Sequence, residues 1–178
     1  MTERLADLIA FDNAPGNMAL DAVARAASSG QEAYDVDGRR AARGTIDRAL
    51  LVELHRHPYL SQPPPKSTGR ELFGTGFVNP LLARFEGRLD DLLATLTRFS
   101  AEAIARSYRE AFPAPPSEVY VCGGGALNLT LMHHLSFSTR SRSRPPMRSA
   151  SIPRPRRRSP SPCWPTKRCL ATRAMSRK

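Results

Sequence analysis

The chain has 178 residues, room for one domain with one buried core, and a formal net charge of +11. Its three cysteines form no CxxC and no framework, which argues against a disulfide scaffold. No apolar run approaches the ~20 residues a bilayer span needs, so a cytoplasmic protein with no membrane partner is expected.

The charge is unevenly placed. Residues 1–135 carry 14 Lys and Arg against 16 Asp and Glu, whereas residues 136–178 carry 13 Lys and Arg and no acid. The body is mildly acidic, and the basic balance belongs to the tail.

The opening MTERLADLIAFD carries acids and only a short apolar run, unlike a signal peptide. Within it, Leu8 to Asp12 reads as a short buried strand. NMALDAVARAASSG follows with helical spacing and a glycine stop at Gly30. DVDGRRAARGTIDRALLVELHRH reads as one or two helices, with Asp37 the N-cap candidate. HPYLSQPPPKSTGRELFGTGF is punctuated by Pro and Gly and reads as a loop without regular structure. LDDLLATLTRFSAEAIARSYREAF carries the clearest amphipathic stripe, with Pro113 beyond its end. SEVYVCGGGALNLTLMHHL reads as strand, glycine turn and helix, with Cys122 a buried, reduced thiol. Strands separated by helices predict an α/β domain.

Three stretches are able to carry chemistry. In FDNAPGN, a carboxylate leaving a strand before a glycine turn suits a general base, but Asp and Asn also favour such corners as plain turn formers. In VYVCGGGALN, successive glycines let backbone N–H groups approach a nucleotide, or simply make a tight turn. The stretch is neither GxGxxG nor a Walker A sequence. In SQPPPKSTGRE, Lys66 and Arg70 flank a Ser-Thr-Gly turn, a site for an anion or sugar or else a solvated loop. His133 and His134 are adjacent on a helix and face different directions, so no metal site is expected.

Together the three stretches resemble one family, the anhydro-N-acetylmuramic acid kinases of bacterial cell-wall recycling. The resemblance rests on Phe11, Asp12, Pro15, Gly16, Asn17, Met18, Asp21 and Ala22; then on Ser61, Pro63, Pro65 and the run Lys66 to Glu71 with Phe73; then on Val121 to Gly125 with Asn128. It implies an α/β fold, a partial actin-like sugar-kinase (ribonuclease H-like) lobe with a mixed sheet and flanking helices. It implies ATP and Mg²⁺, a small sugar substrate, hydrolytic opening of a 1,6-anhydro ring coupled to phosphorylation, and allows a homodimer. Asp12 matches the general base; Gly123, Gly124, Gly125 and Asn128 match the nucleotide turn. Pro15, Gly16, Asn17, Lys66, Ser67 and Arg70 fall on the substrate or phosphate loops.

The chain departs from the family pattern in three places. Asn13 and Ala14 stand where the family has Thr and Gly, and positive φ at position 14 would strain an alanine. No GTSxDG phosphate segment occurs, so residues 1–135 are expected to be an incomplete C-terminal lobe, with little or no kinase activity alone. Residues 136–178, with 9 serines and 7 prolines, are expected to be disordered and translated out of frame. Read two bases later, Cys163 and Trp164 both force Leu, Val or Met, and an apolar helix becomes an allowed translation. The alternative is a basic arm binding nucleic acid, which is not the expected partner.

Overall fold

A computed structural model describes residues 9–114, 116, 118–138 and, for the backbone, 147–149. In chain order, α1 spans Asn17–Ala27, α2 Arg39–Arg43, α3 Arg48–His55, α4 Arg70–Phe73, α5 Thr75–Arg84, α6 Leu89–Glu110, β1 Val119–Val121, α7 Leu129–Ser138 and β2 Met147–Ser149. Single 3₁₀ turns occupy Val36–Gly38, Pro58–Ser61 and Gly124–Leu127.

Helix α6 is the spine. Its first half buries Leu92, Leu93, Leu96 and Phe99 in a core shared with α1, α3 and α5. Its second half buries Ala101, Ile104 and Tyr108 against β1 and α7. Full burial of a Leu or Phe side chain contributes about 1.5–3 kcal/mol, so this one helix anchors both clusters. The amphipathic stripe predicts this helix, because a helical apolar period sustained over 22 residues leaves no competing reading.

Chain reversals rest on carboxylate caps. Asp47 Oδ1 accepts from Leu50 N at 2.9 Å and starts α3. Asp35, itself buried, accepts from Arg40 N at 2.9 Å and Ala41 N at 3.0 Å and so fixes the start of α2. Asp37, the expected cap, instead lies inside the 3₁₀ turn with φ of 56° and pairs with Arg39 in solvent. Gly44 is required by packing, since any Cβ there would collide with the Asp90 carbonyl.

The expected α/β lobe is corrected in part: the described residues are mostly helical. Their strands are β1 and β2, three residues each, paired in parallel with Val119 opposite Met147. An actin-like mixed sheet is not shown. Ile9 to Asp12, expected as strand, has no regular structure, and Leu8 lies outside the described residues. Among the described residues no strand edge pairs with it: the segment meets a loop through the backbone bond from Asp12 N to Lys66 O at 3.1 Å.

The expected irregular loop is more ordered than its composition suggests. Pro58 opens a 3₁₀ turn, and α4 and α5 follow because Phe73 and Val78 are buried and pull the intervening backbone into helical turns. Burial overrides the glycine and proline punctuation here. Cys122 is half-buried rather than buried. The readings of Cys163, Cys169 and the tail beyond Ser138 fall outside the described residues, apart from the backbone of β2.

Candidate active site

Asp12 is exposed, and the structure joins it to the stretch SQPPPKSTGRE. Its Oδ2 accepts from Ser67 Oγ at 2.9 Å and from Thr68 N at 3.0 Å. Two donors on one oxygen fix the carboxylate's orientation, and no described hydrogen bond occupies Oδ1. A carboxylate held by one oxygen with the other open is suited to accept a proton from a positioned water. The same hydrogen bonds also suit a plain turn, so geometry by itself allows the base and does not demand it.

Tyr59 ties the corner together and was not legible as a site residue. It is buried, its hydroxyl donates to the Asp12 carbonyl at 2.8 Å, and its ring meets Phe73 edge-on at 5.7 Å. Burial, with the charges of Asp12 and Glu71, pushes its pKa up to about 12. The phenol therefore remains a donor throughout the neutral range. The only sequence signal was an aromatic after Pro58, which by itself reads as core.

Lys66 turns inward. Its ammonium donates to the carbonyls of Tyr59 at 3.1 Å and Leu60 at 3.3 Å and sits 4.8 Å from the Tyr59 ring centre. Burial lowers its pKa. It clasps the loop that delivers Ser67 and Thr68 to Asp12. Arg70, four residues on, is exposed at the start of α4.

At the other side of the corner, Pro15 is buried and its carbonyl accepts from Met18 N at 3.4 Å. Gly16 takes φ of 59° and leads into α1 with no side-chain cap. The left-handed position thus falls at Gly16 and not at Ala14, so the strain expected of Ala14 is not realised; among described non-glycine residues positive φ occurs at Ser29 and Asp37. Ala14 instead packs against the core. Asn13 has its Oδ1 buried with no hydrogen-bond partner, as does Thr68 with its Oγ1.

The glycine turn backs onto the start of α1. A methyl group at Gly125 would sit 3.4 Å from Asn17 Oδ1. Gly123 takes φ of 79° and is exposed with Gly124, and the amides of Gly124 and Gly125 donate to no described backbone carbonyl. Such amides fit an anionic phosphate oxygen. Asn128 has a different occupation: it is buried, and its Oδ1 accepts from Leu131 N at 2.9 Å, capping α7. It packs against Gly38, whose carbonyl accepts from Thr130 Oγ1 at 2.8 Å.

A cavity of about 240 Å³ opens beside the corner, lined by Asn13, Lys66 and the segment 60–64 on one side and by Arg106, Ser107 and Glu110 of α6 on the other. The α6 residues were not legible as site residues either. Their sequence signal, Arg and Glu four apart, reads as an ordinary helix-surface pair.

Two comparisons bear on this arrangement. The profile of the anhydro-N-acetylmuramic acid kinase family matches residues 4–144. Relatives named anhydro-N-acetylmuramic acid kinase include one from Cyanothece sp., 43% identical over 129 residues, covering 71% of this chain and 34% of the relative. One from Acidithiobacillus ferrooxidans is 46% identical over 128 residues, covering 72% and 32%. One from Neisseria gonorrhoeae is 45% identical over 132 residues, covering 73% and 35%. The chain spans about a third of the length of these relatives.

Proposed function

Since this chain belongs to the anhydro-N-acetylmuramic acid kinase family, we propose that it carries the general-base portion of an ATP-dependent kinase acting on anhydro-N-acetylmuramic acid. The observation that carries the reading is the Asp12 carboxylate, held through Oδ2 by Ser67 and Thr68 with Oδ1 open. On this reading Asp12 takes a proton from the water that opens the 1,6-anhydro ring, and the sugar leaves as its 6-phosphate. Ser67 and Thr68 orient the base, and Tyr59 holds its backbone in place. Such positioning supplies catalysis without a large electronic change at the base.

ATP supplies the phosphoryl group when bound, with Mg²⁺ accompanying its phosphates. The Gly124 and Gly125 amides, which donate to no described backbone carbonyl, suit that anion by polarity. Asn128 holds the turn in shape by capping α7 through Oδ1, beside the glycines that would meet the nucleotide. Pro15, Gly16 and Asn17 shape the corner where sugar and phosphate would meet. Residues 1–135 form one lobe of an actin-like sugar kinase on this reading, and a cytoplasmic place, a homodimer and cell-wall sugar recycling follow from it as part of the same proposal. No helix among the described residues is long and apolar enough to cross a membrane. The nucleic-acid alternative rests on tail residues outside those described.

Two assays separate the parts of this reading. ADP release with anhydro-N-acetylmuramic acid and ATP is compared between this chain and a full-length relative; turnover well below the relative's is expected, and equal turnover overturns the one-lobe assignment. Asp12→Asn is expected to lower the remaining turnover by about 100-fold or more. An unchanged rate removes Asp12 from the role of base.

A further inference from the structure

Asp12 is held by a closed circuit of hydrogen bonds that passes through one lysine. Its amide donates to the Lys66 carbonyl at 3.1 Å. The Lys66 ammonium donates to the carbonyls of Tyr59 at 3.1 Å and Leu60 at 3.3 Å. The Tyr59 hydroxyl closes the circuit on the Asp12 carbonyl at 2.8 Å. Both backbone groups of Asp12 are thus engaged, and the two residues after Lys66 hold its Oδ2. In the segment that joins the two loops, Ser61, Gln62, Pro63 and Pro65 are exposed. That segment has little packing of its own, so the lysine side chain sets the spacing between the Tyr59 turn and the loop of Ser67 and Thr68.

We infer that Lys66 is a positioning residue: its side chain fastens the Tyr59 turn to the loop of Ser67 and Thr68 and so fixes the Asp12 carboxylate for proton abstraction. The inference rests on the proposed function, since it takes Asp12 as the base. The chemistry favours a clasp over a contact to sugar or phosphate. Two of the three ammonium protons are already spent on carbonyls, and the Tyr59 ring centre lies 4.8 Å from the nitrogen. Those carbonyls belong to the 3₁₀ turn Pro58–Ser61, whose end a lysine can close as it closes the end of a helix. A misplacement of about 1 Å can cost on the order of 100-fold in rate, so a side chain that never touches the sugar can still govern turnover.

The test is Lys66→Met in the full chain, which keeps the apolar stem and removes both bonds. In the ADP-release assay it is expected to lower kcat about 10- to 100-fold, with KM for sugar and for ATP within about twofold. Lys66→Arg, which still donates to carbonyls, restores at least part of the loss. Combined with Tyr59→Phe, it lowers kcat no further than the worse single variant, because both changes break one circuit. Amide hydrogen exchange reads the same clasp without turnover. In Lys66→Met the amides of Asp12 and Thr68 are expected to exchange about tenfold faster or more, with those of α6 unchanged. If turnover is below detection, exchange decides alone. Unchanged kcat, a raised KM with kcat intact, additive losses with Tyr59→Phe, or unaltered exchange at Asp12 and Thr68 overturns the inference. Where circular dichroism shows Lys66→Met unfolded, Lys66→Gln takes its place; loss of the fold in both also overturns it, because the lysine is then structural. The base itself fails separately, in the Asp12→Asn assay.

Discussion

Asp12 shows how a residue's surroundings can be resolved beyond its type. From residue types alone it reads as a turn former sooner than as a base. In the structure a buried phenol, a backbone amide and a hydroxyl converge on its corner from a segment about 50 residues away. Tyr59→Phe isolates one of those bonds. Removing the hydroxyl is expected to cost about 0.5–1.5 kcal/mol of stability, seen as a lower denaturant midpoint with unchanged slope. If Tyr59 positions the base, the variant also lowers kcat with KM little changed; a shift in KM with kcat intact would assign it to substrate binding instead.

Among the elements, the long helix α6 was legible because 22 residues of sustained periodicity override any local ambiguity. The short ones were not. Segments α2, α4 and the 3₁₀ turns are three to five residues long, and their existence depends on Phe73, Ala41 and Leu60 finding the core. Capping shows the same division. Asp37 was the N-cap expected from the sequence, yet it caps nothing, and Asp47 is the one of the two that receives a helix amide. Asp47→Ala is therefore expected to destabilise the chain by about 1 kcal/mol, whereas Asp37→Ala leaves the thermal midpoint nearly unmoved. Comparable losses at the two positions would contradict the assignment of the caps.

For the molecule as a whole, stability should fall on both sides of neutrality. Burial lowers the pKa of His57, whose Nδ1 accepts from Tyr59 N at 3.3 Å, and of His134, where Arg98 and His133 add to burial. A histidine with a depressed folded pKa takes up protons more readily when unfolded. Its stabilisation is present above the ordinary value of 6.5 and is lost as pH falls below it. Glu102 adds to the acid side. Burial works to raise its pKa, but hydrogen bonds from His55 and Arg98, both at 2.6 Å, bring it below 4.5. Stability from that group is lost as pH drops from about there through its folded value. Tyr59 acts in the opposite sense: its raised pKa contributes stability below 10 that disappears as pH climbs towards about 12. Chemical denaturation from pH 4 to 11 should show a plateau near neutrality, with the acid loss beginning below about 6.5. A flat acid limb in the unaltered chain, or one unaffected by replacing His57 and His134, would contradict this.

The sequence by itself determined the family, the spine helix, the strand–glycine turn–helix order and the three stretches that meet at the site. These depend on local residue type and period, which a linear chain displays directly. Only the tertiary structure decided that the positive φ belongs to Gly16 and not position 14, that Lys66 clasps its own loop, and that Asn128 caps a helix. It alone brought Tyr59 to Asp12 and Arg106 to the cavity. The last two join segments about 40 to 90 residues apart, and even the short-range ones depend on where the core places the loop and the helix. Burial and packing settle such pairings, and no local pattern encodes them.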